Sequence, residues 1–151
     1  MREVMTKSMA RNIFYGGSLF FIIIFVGLTA HSHRYIRTTS TDAAALTDNV
    51  AAGKHLWEKH ACINCHTILG EGAYFAPELA NVMDRWGVET GDNEGAFDSL
   101  KTWMDSMPTG IEGRRQMPNF NLTDEEYREL ADFLMWVNTI RAQDWPPNDA
   151  G

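Results

Sequence analysis

Two cysteines, Cys62 and Cys65, stand two residues apart and are followed at once by His66. The pattern C-x-x-C-H suits one chemistry above the others: both thiols add across the two vinyl groups of one porphyrin, and the histidine after the second sulfur supplies the proximal nitrogen. These are the only cysteines in 151 residues, so no disulfide framework competes for them. A zinc site built from Cys62, Cys65, His60 and His66 is one alternative. It fits less well, because His66 abuts Cys65 whereas zinc pairs usually bring their second half from a distant knuckle. A thioredoxin-type redox pair expects strands around the motif, and none are evident.

A second axial ligand must come from further along. Met83, Met104, Met107 and Met117 lie between the motif and the last predicted helix. Met117 is favoured: it sits in the loop G-R-R-Q-M-P-N-F just before that helix, and Pro118 restricts it to an extended backbone. Met107 is also followed by proline and is its rival, while Met83 and Met104 suit helix core. Between the motif and these methionines, Thr67 to Leu79 reads as loop, with two glycines and a proline. The carbonyl of Pro77 is the expected acceptor for the remaining ring N–H of His66. Tyr74-Phe75 either covers the edge of a bound group or faces a partner. Lys54 and Glu58, four apart on a helix, read as a solvated pair, with a proton-uptake role at a subunit boundary as the sharper alternative. Asp92-Asn93-Glu94 lacks the ligand ladder of a calcium loop and reads as an acidic turn.

The elements that must position these residues follow from pattern. Thr47 or Asp48 caps a helix from about Asn49, with Val50, Gly53, Leu56 and Trp57 at helical spacing, up to the cysteines. Gly53 inside it costs about 1 kcal/mol relative to alanine, which a close helix crossing would offset. A middle helix is predicted over Leu79 to Trp86, a polar turn over Glu89 to Gly95, and a helix from Ala96 to about Met104. Thr123-Asp124-Glu125-Glu126 is a capping box. It opens a helix with Tyr127, Leu130, Ala131, Leu134 and Val137 on one stripe; Phe133, Trp136 and Ile140 widen the apolar surface, part of it for the Gly53 helix and part for a membrane partner. Pro146-Pro147 ends the fold.

Charge and hydropathy separate the two ends. Residues 1–37 carry five Lys/Arg against Glu3, and the remainder carries eight basic and nineteen acidic residues, a net −11. So acidic a body repels phosphate backbones and excludes nucleic acid as a partner. Ile13 to Ala30 runs eighteen residues without a charge, enough for one tilted crossing of a bilayer. Its Ile, Leu, Phe and Val residues favour insertion by about 3–7 kcal/mol in sum. No small-residue cleavage site follows closely, so it reads as a retained anchor, not a signal peptide. Gly16, Gly17 and Ser18 offer a thin strip for close helix approach. Basic residues flank the span almost evenly, so charge alone does not orient it. The organisation is an anchor segment over 1–37 (span about 13–30), a connector over 38–48, a helical domain over 49–143 and a tail over 144–151.

The C-x-x-C-H motif, the helix before it, a Met-Pro loop and a closing aromatic helix together resemble a class I cytochrome c domain. The longer runs C-I-N-C-H-T-I-L-G-E-G-A-Y-F-A-P-E-L and R-R-Q-M-P-N-F, behind an uncleaved anchor, closely resemble the small cytochrome c subunits of bacterial cytochrome-c-type nitric oxide reductases over nearly the full length. The resemblance implies an all-α fold: one transmembrane helix, then a class I cytochrome c-like domain. It implies haem c held by Cys62 and Cys65, iron ligated by His66 and Met117, and His66 oriented by Pro77. It also implies a large catalytic subunit with haem b, haem b3 and a non-haem iron that reduces two NO to N2O. A calcium ion near the subunit boundary would be contacted from Gly72 and Tyr74. Electrons would come from a periplasmic donor, a soluble cytochrome c or a small copper protein. Haem attachment outside the cytoplasm places the domain in the periplasm and the N-terminus in the cytoplasm, on a single pass of the inner membrane. The rivals are a free-standing membrane-anchored shuttle and a zinc-stabilised interaction module.

Overall fold

The computed structural model describes residues 5–107, 112–113, 116–142 and 145. The chain divides into two compact units, Met1–Thr39 and Ser40–Gly151. In the first, α1 (Lys7–Tyr35) starts where Thr6 Oγ1 accepts the amide of Met9 at 3.3 Å. Its 29 residues extend about 44 Å, more than the ~30 Å hydrocarbon core of a bilayer. None of its residues is buried within the chain, and its most apolar window has a mean hydropathy of 2.2. A helix with so apolar a window and none of its residues buried suits lipid and not a core. By length and composition it can cross a membrane once. A π-helical turn over Ile36–Ser40 follows, so helical structure reaches into the first residues of the predicted connector.

The second unit is built on a crossed helix pair. α2 (Asp48–Lys59) is capped by Thr47, whose Oγ1 accepts the Val50 amide at 3.3 Å. α5 (Asp124–Asn138) opens with the expected capping box: Thr123 Oγ1 accepts from the Glu126 amide at 3.2 Å and Glu126 accepts from the Thr123 amide at 3.0 Å. The two helices meet at Gly53, where an added Cβ would strike the Glu129 carbonyl and lie 2.7 Å from Phe133 Cβ. The missing side chain is what lets the backbones approach. α5 buries Tyr127, Leu130, Ala131, Leu134 and Val137 as patterned, and Phe133 and Met135 besides. Of the residues that widen the apolar surface, Phe133 is buried and packs on Trp57 of α2, with ring centroids 6.3 Å apart, while Trp136 and Ile140 stay half-buried.

Three boundaries differ from expectation. The middle helix shrinks to the single turn α3 (Val82–Arg85), because Glu78 takes the Ala80 amide into its own side chain and Asn81 is not helical. α4 (Asn93–Asp105) starts three residues before Ala96, because Asp92 is an N-cap whose carboxylate accepts the Gly95 amide at 2.9 Å. The acidic turn is therefore a cap and a first helical turn. The loop after the motif contains a two-residue antiparallel ladder, β1 (Thr67–Ile68) with β2 (Glu71–Gly72). Leu69 and Gly70 between them both have positive φ, 53° and 82°, the backbone of a type I′ hairpin turn. Met83 and Met104 are core, 0 % and 2 % exposed.

α4 and α5 are joined where the fully buried Tyr127 donates its hydroxyl to Asp105 at 2.7 Å. That bond, and Lys101 after it, hold the Asp105 carboxyl below its ordinary 3.8. A depressed folded-state pKa means stabilisation that is complete above 3.8 and lost as pH falls through the folded value. Tyr127→Phe should cost about 0.5–1.5 kcal/mol at neutral pH, the net worth of one hydrogen bond. It should also flatten the loss of stability on acidification. Urea midpoints measured at neutral and acid pH check both effects.

Candidate cofactor cleft

α2 delivers the motif. Its C-cap is His60, after which Ala61 takes a left-handed conformation, φ 52°, at a cost of roughly 1–2 kcal/mol for a residue with a Cβ. That reversal starts the 3-10 turn Cys62–Asn64. The Cys65 and His66 amides both return to the Cys62 carbonyl, at 3.1 and 2.9 Å, so one tight turn carries both sulfurs and the imidazole. Both thiols are half-buried and not in a disulfide. Burial, the largest cause, pushes the Cys62 thiol up to about 11. A thioredoxin-type nucleophile needs a lowered thiol pKa, the opposite of what burial does to Cys62.

His66 is held from behind. Its Nδ1 lies 2.8 Å from the Pro77 carbonyl oxygen. A carbonyl only accepts, so Nδ1 carries a proton, and in the neutral ring Nε2 is the nitrogen left with a lone pair. The intervening loop is stitched back onto the motif by the Ala73 amide to Ile63, the Ala76 amide to Cys65 and the Leu79 amide to Thr67, at 3.0, 2.8 and 2.9 Å. Gly72, at φ 131°, sits so close that an added Cβ would strike the His66 carbonyl. Tyr74 is 75 % exposed and its hydroxyl donates to the Gly70 carbonyl at 3.0 Å.

Cys62, Cys65 and His66 share one cleft with Met117, Pro118 and Phe120, and Phe75 stands on its lining as well. The cleft holds about 650 Å³ of free space, open solvent at its mouth included. Its surface is mainly apolar, as a porphyrin plate requires. Two thiols on one turn, an imidazole with its lone pair unspent and a thioether on the same apolar cleft are the donor set of a haem c. The residues fit the group. Met107, at the end of α4, is not on this lining. Arg114 and Arg115 of the Met117 loop, and the tail residues Asp144, Pro146 and Pro147, lie outside the described residues.

Among the described residues no cluster of three or more His, Cys, Asp or Glu side chains is arranged to hold a metal ion. The zinc module therefore finds no site in Cys62, Cys65, His60 and His66. For calcium, the loop at Gly72 and Tyr74 offers no such cluster either. Lys54 and Glu58 form an ion pair with both side chains more than half exposed, a solvated pair; Lys54 lowers the Glu58 carboxyl pKa.

Two contributors escaped sequence reasoning. His60, considered only as a zinc ligand, lies on the cleft with its ring 4.8 Å from that of Phe120. Glu78 is 5 % exposed, and a carboxylate inside a Gly/Pro loop was the available signal.

A small helical domain with two cysteines, a carbonyl-bound histidine and a methionine on one apolar cleft defines a c-type cytochrome. The cytochrome c family profile matches residues 50–138. The NorC protein of nitric oxide reductase from Paracoccus denitrificans is 68 % identical over 151 residues, all of both chains. The NorC proteins of Cereibacter sphaeroides and Stutzerimonas stutzeri are 61 % and 46 % identical, again over the whole of both chains. The chain belongs to the NorC family of nitric oxide reductase cytochromes c.

Proposed function

We propose that this chain is the electron-transfer subunit of a nitric oxide reductase, a membrane-anchored cytochrome c that relays single electrons to a catalytic partner. The observation that carries the proposal is the meeting of His66, Met117 and both cysteines on one cleft. A haem c bound there supplies a one-electron iron couple. Cys62 and Cys65 would hold it by thioether bonds, and His66 Nε2 and Met117 would ligate its iron. With both of these ligands supplied by the chain, the bound haem would serve electron transfer and would not bind NO. Methionine sets the potential above that of bis-histidine ligation. The reduction of two NO to N2O then belongs to the large partner with its haem b, haem b3 and non-haem iron. Phe75, on the cleft and 52 % exposed, would give electrons a path at the edge facing a soluble cytochrome c or a small copper protein.

In this reading the segment over 1–37 anchors the domain over 49–143 in lipid through α1. Haem attachment outside the cytoplasm places the domain in the periplasm of a bacterial inner membrane, with the N-terminus cytoplasmic. A calcium ion contacted from Gly72 and Tyr74, if bound, would belong to the same boundary with the large partner.

Purification of the full chain from detergent-solubilised membranes tests this. It should bring down a larger protein that carries haem b, and the complex should reduce NO. The chain alone, loaded with its haem, should not. A chain that elutes as a lone small particle would be a free-standing shuttle; NO reduction by the lone chain near the rate of the complex would remove the relay role.

A further inference from the structure

Glu78 is the most buried charged side chain among the described residues, and electron relay as described above makes no use of it. One carboxylate oxygen accepts the amides of Leu69 and Ala80, at 2.8 and 3.0 Å, and the other accepts that of Gly70 at 3.0 Å. Its main-chain carbonyl receives Arg85 at 2.6 Å, and the same guanidinium donates to Asn81 at 2.8 Å. Both ends of residue 78 are therefore anchored, the side chain to the hairpin turn Leu69-Gly70 and the backbone to α3. Thr67 Oγ1 stands beside the carboxylate, off hydrogen-bonding geometry, yet near enough to help lower its pKa.

The residue before it is Pro77, whose carbonyl holds His66 Nδ1. That carbonyl and the Glu78 amide belong to one planar peptide unit. Fixing Glu78 therefore fixes the direction in which the Pro77 oxygen points. Two of the three amides clamped by the carboxylate, those of Leu69 and Gly70, lie at the tip of the hairpin that begins at Thr67, the residue after His66. The clamp thus ties together the two chain segments whose separation sets the His66–Pro77 distance.

We infer that Glu78 is a positioning residue for the axial histidine, acting through the Pro77 carbonyl to hold the imidazole in its donor geometry. This rests on the assignment of His66 as an iron ligand. A histidine hydrogen-bonded through its second nitrogen is a more basic ligand, which favours the oxidised metal. Loosening the clamp should weaken that bond and raise the reduction potential.

Charge must be separated from position. Glu78→Asp keeps the charge but withdraws the carboxylate by one methylene, so it cannot span all three amides. Glu78→Gln keeps the length and removes the charge. In the full-length haem-loaded chain in detergent micelles, Glu78→Asp should raise the midpoint potential. It should also speed exchange of the His66 Nδ1–H, read by NMR, by about tenfold, the factor that the loss of an ordinary hydrogen bond represents. If Glu78→Gln shifts the potential while Glu78→Asp matches the parent in both readouts, the residue acts by charge alone and the inference is overturned. A lower melting temperature with neither readout moved overturns it too. The low-spin, thioether-ligated spectrum is the control: its loss in the parent protein would refute the ligand assignment, not the clamp.

Discussion

Replacing Met117 by alanine should abolish the long-wavelength sulfur-to-iron charge-transfer absorption of the haem-loaded protein and lower its reduction potential. Met117 and His66 share one cleft, and a thioether is the ligand that raises the potential of such a centre. Alanine cannot coordinate, so the haem-loaded variant should take up added iron ligands that the parent refuses. Electron delivery to the catalytic partner should fall with the potential. The packing loss should be modest, near the lower end of the 2–5 kcal/mol typical of a methionine truncation, roughly 2 kcal/mol, because Met117 is only half-buried. The control is Met107→Ala. Met107 lies two residues beyond α4, its amide bonded to the Met104 carbonyl at 3.1 Å, and the variant should keep the parent spectrum. The opposite result, with Met107→Ala bleaching the band and Met117→Ala leaving it, would exchange the two assignments.

Gly53→Ala should be among the most damaging single-methyl changes in the domain. In an isolated helix the substitution would help by about 1 kcal/mol. Here the new methyl would occupy the space of the Glu129 carbonyl and press on Phe133 Cβ. Backbone atoms cannot swing aside as a flexible side chain can, so α2 and α5 must separate. Overpacking of this kind costs about 1–3 kcal/mol, and more where backbone must move. For a domain of this size the melting temperature should drop by roughly 10 °C or more, read by thermal melts followed at 222 nm. Gly53→Val should fail to fold. The separation should reach the cleft as well, since α2 carries His60 and the cysteine turn at its end. A melting temperature unchanged by Gly53→Ala would mean that the crossing is looser than described.

The chemistry of this protein was legible because local spacing carries it. A porphyrin takes two thiols at a fixed separation and an imidazole beside them, so C-x-x-C-H states the reaction without reference to the fold. The capping box at Thr123 was legible for a similar reason, since its two reciprocal bonds span only three residues. So was α1, where a bilayer asks only for enough apolar residues in a row. Less visible were the boundaries at which a side chain competes with the helix for its own backbone. Glu78 claims the Ala80 amide and shortens α3; Asp92 claims the Gly95 amide and lengthens α4. Both are local contests whose outcome depends on burial, which spacing does not reveal.

What the sequence determined by itself was the attachment turn, the anchor and the pair of helices that had to cross at a glycine. The tertiary structure decided which methionine shares a cleft with the histidine, and which buried acid steadies the loop behind it. Both choices depend on chain segments far apart in sequence coming within a few ångströms. No periodicity encodes such an approach, because it is set by how closely α2 and α5 can pack and by where the chain between them must then run.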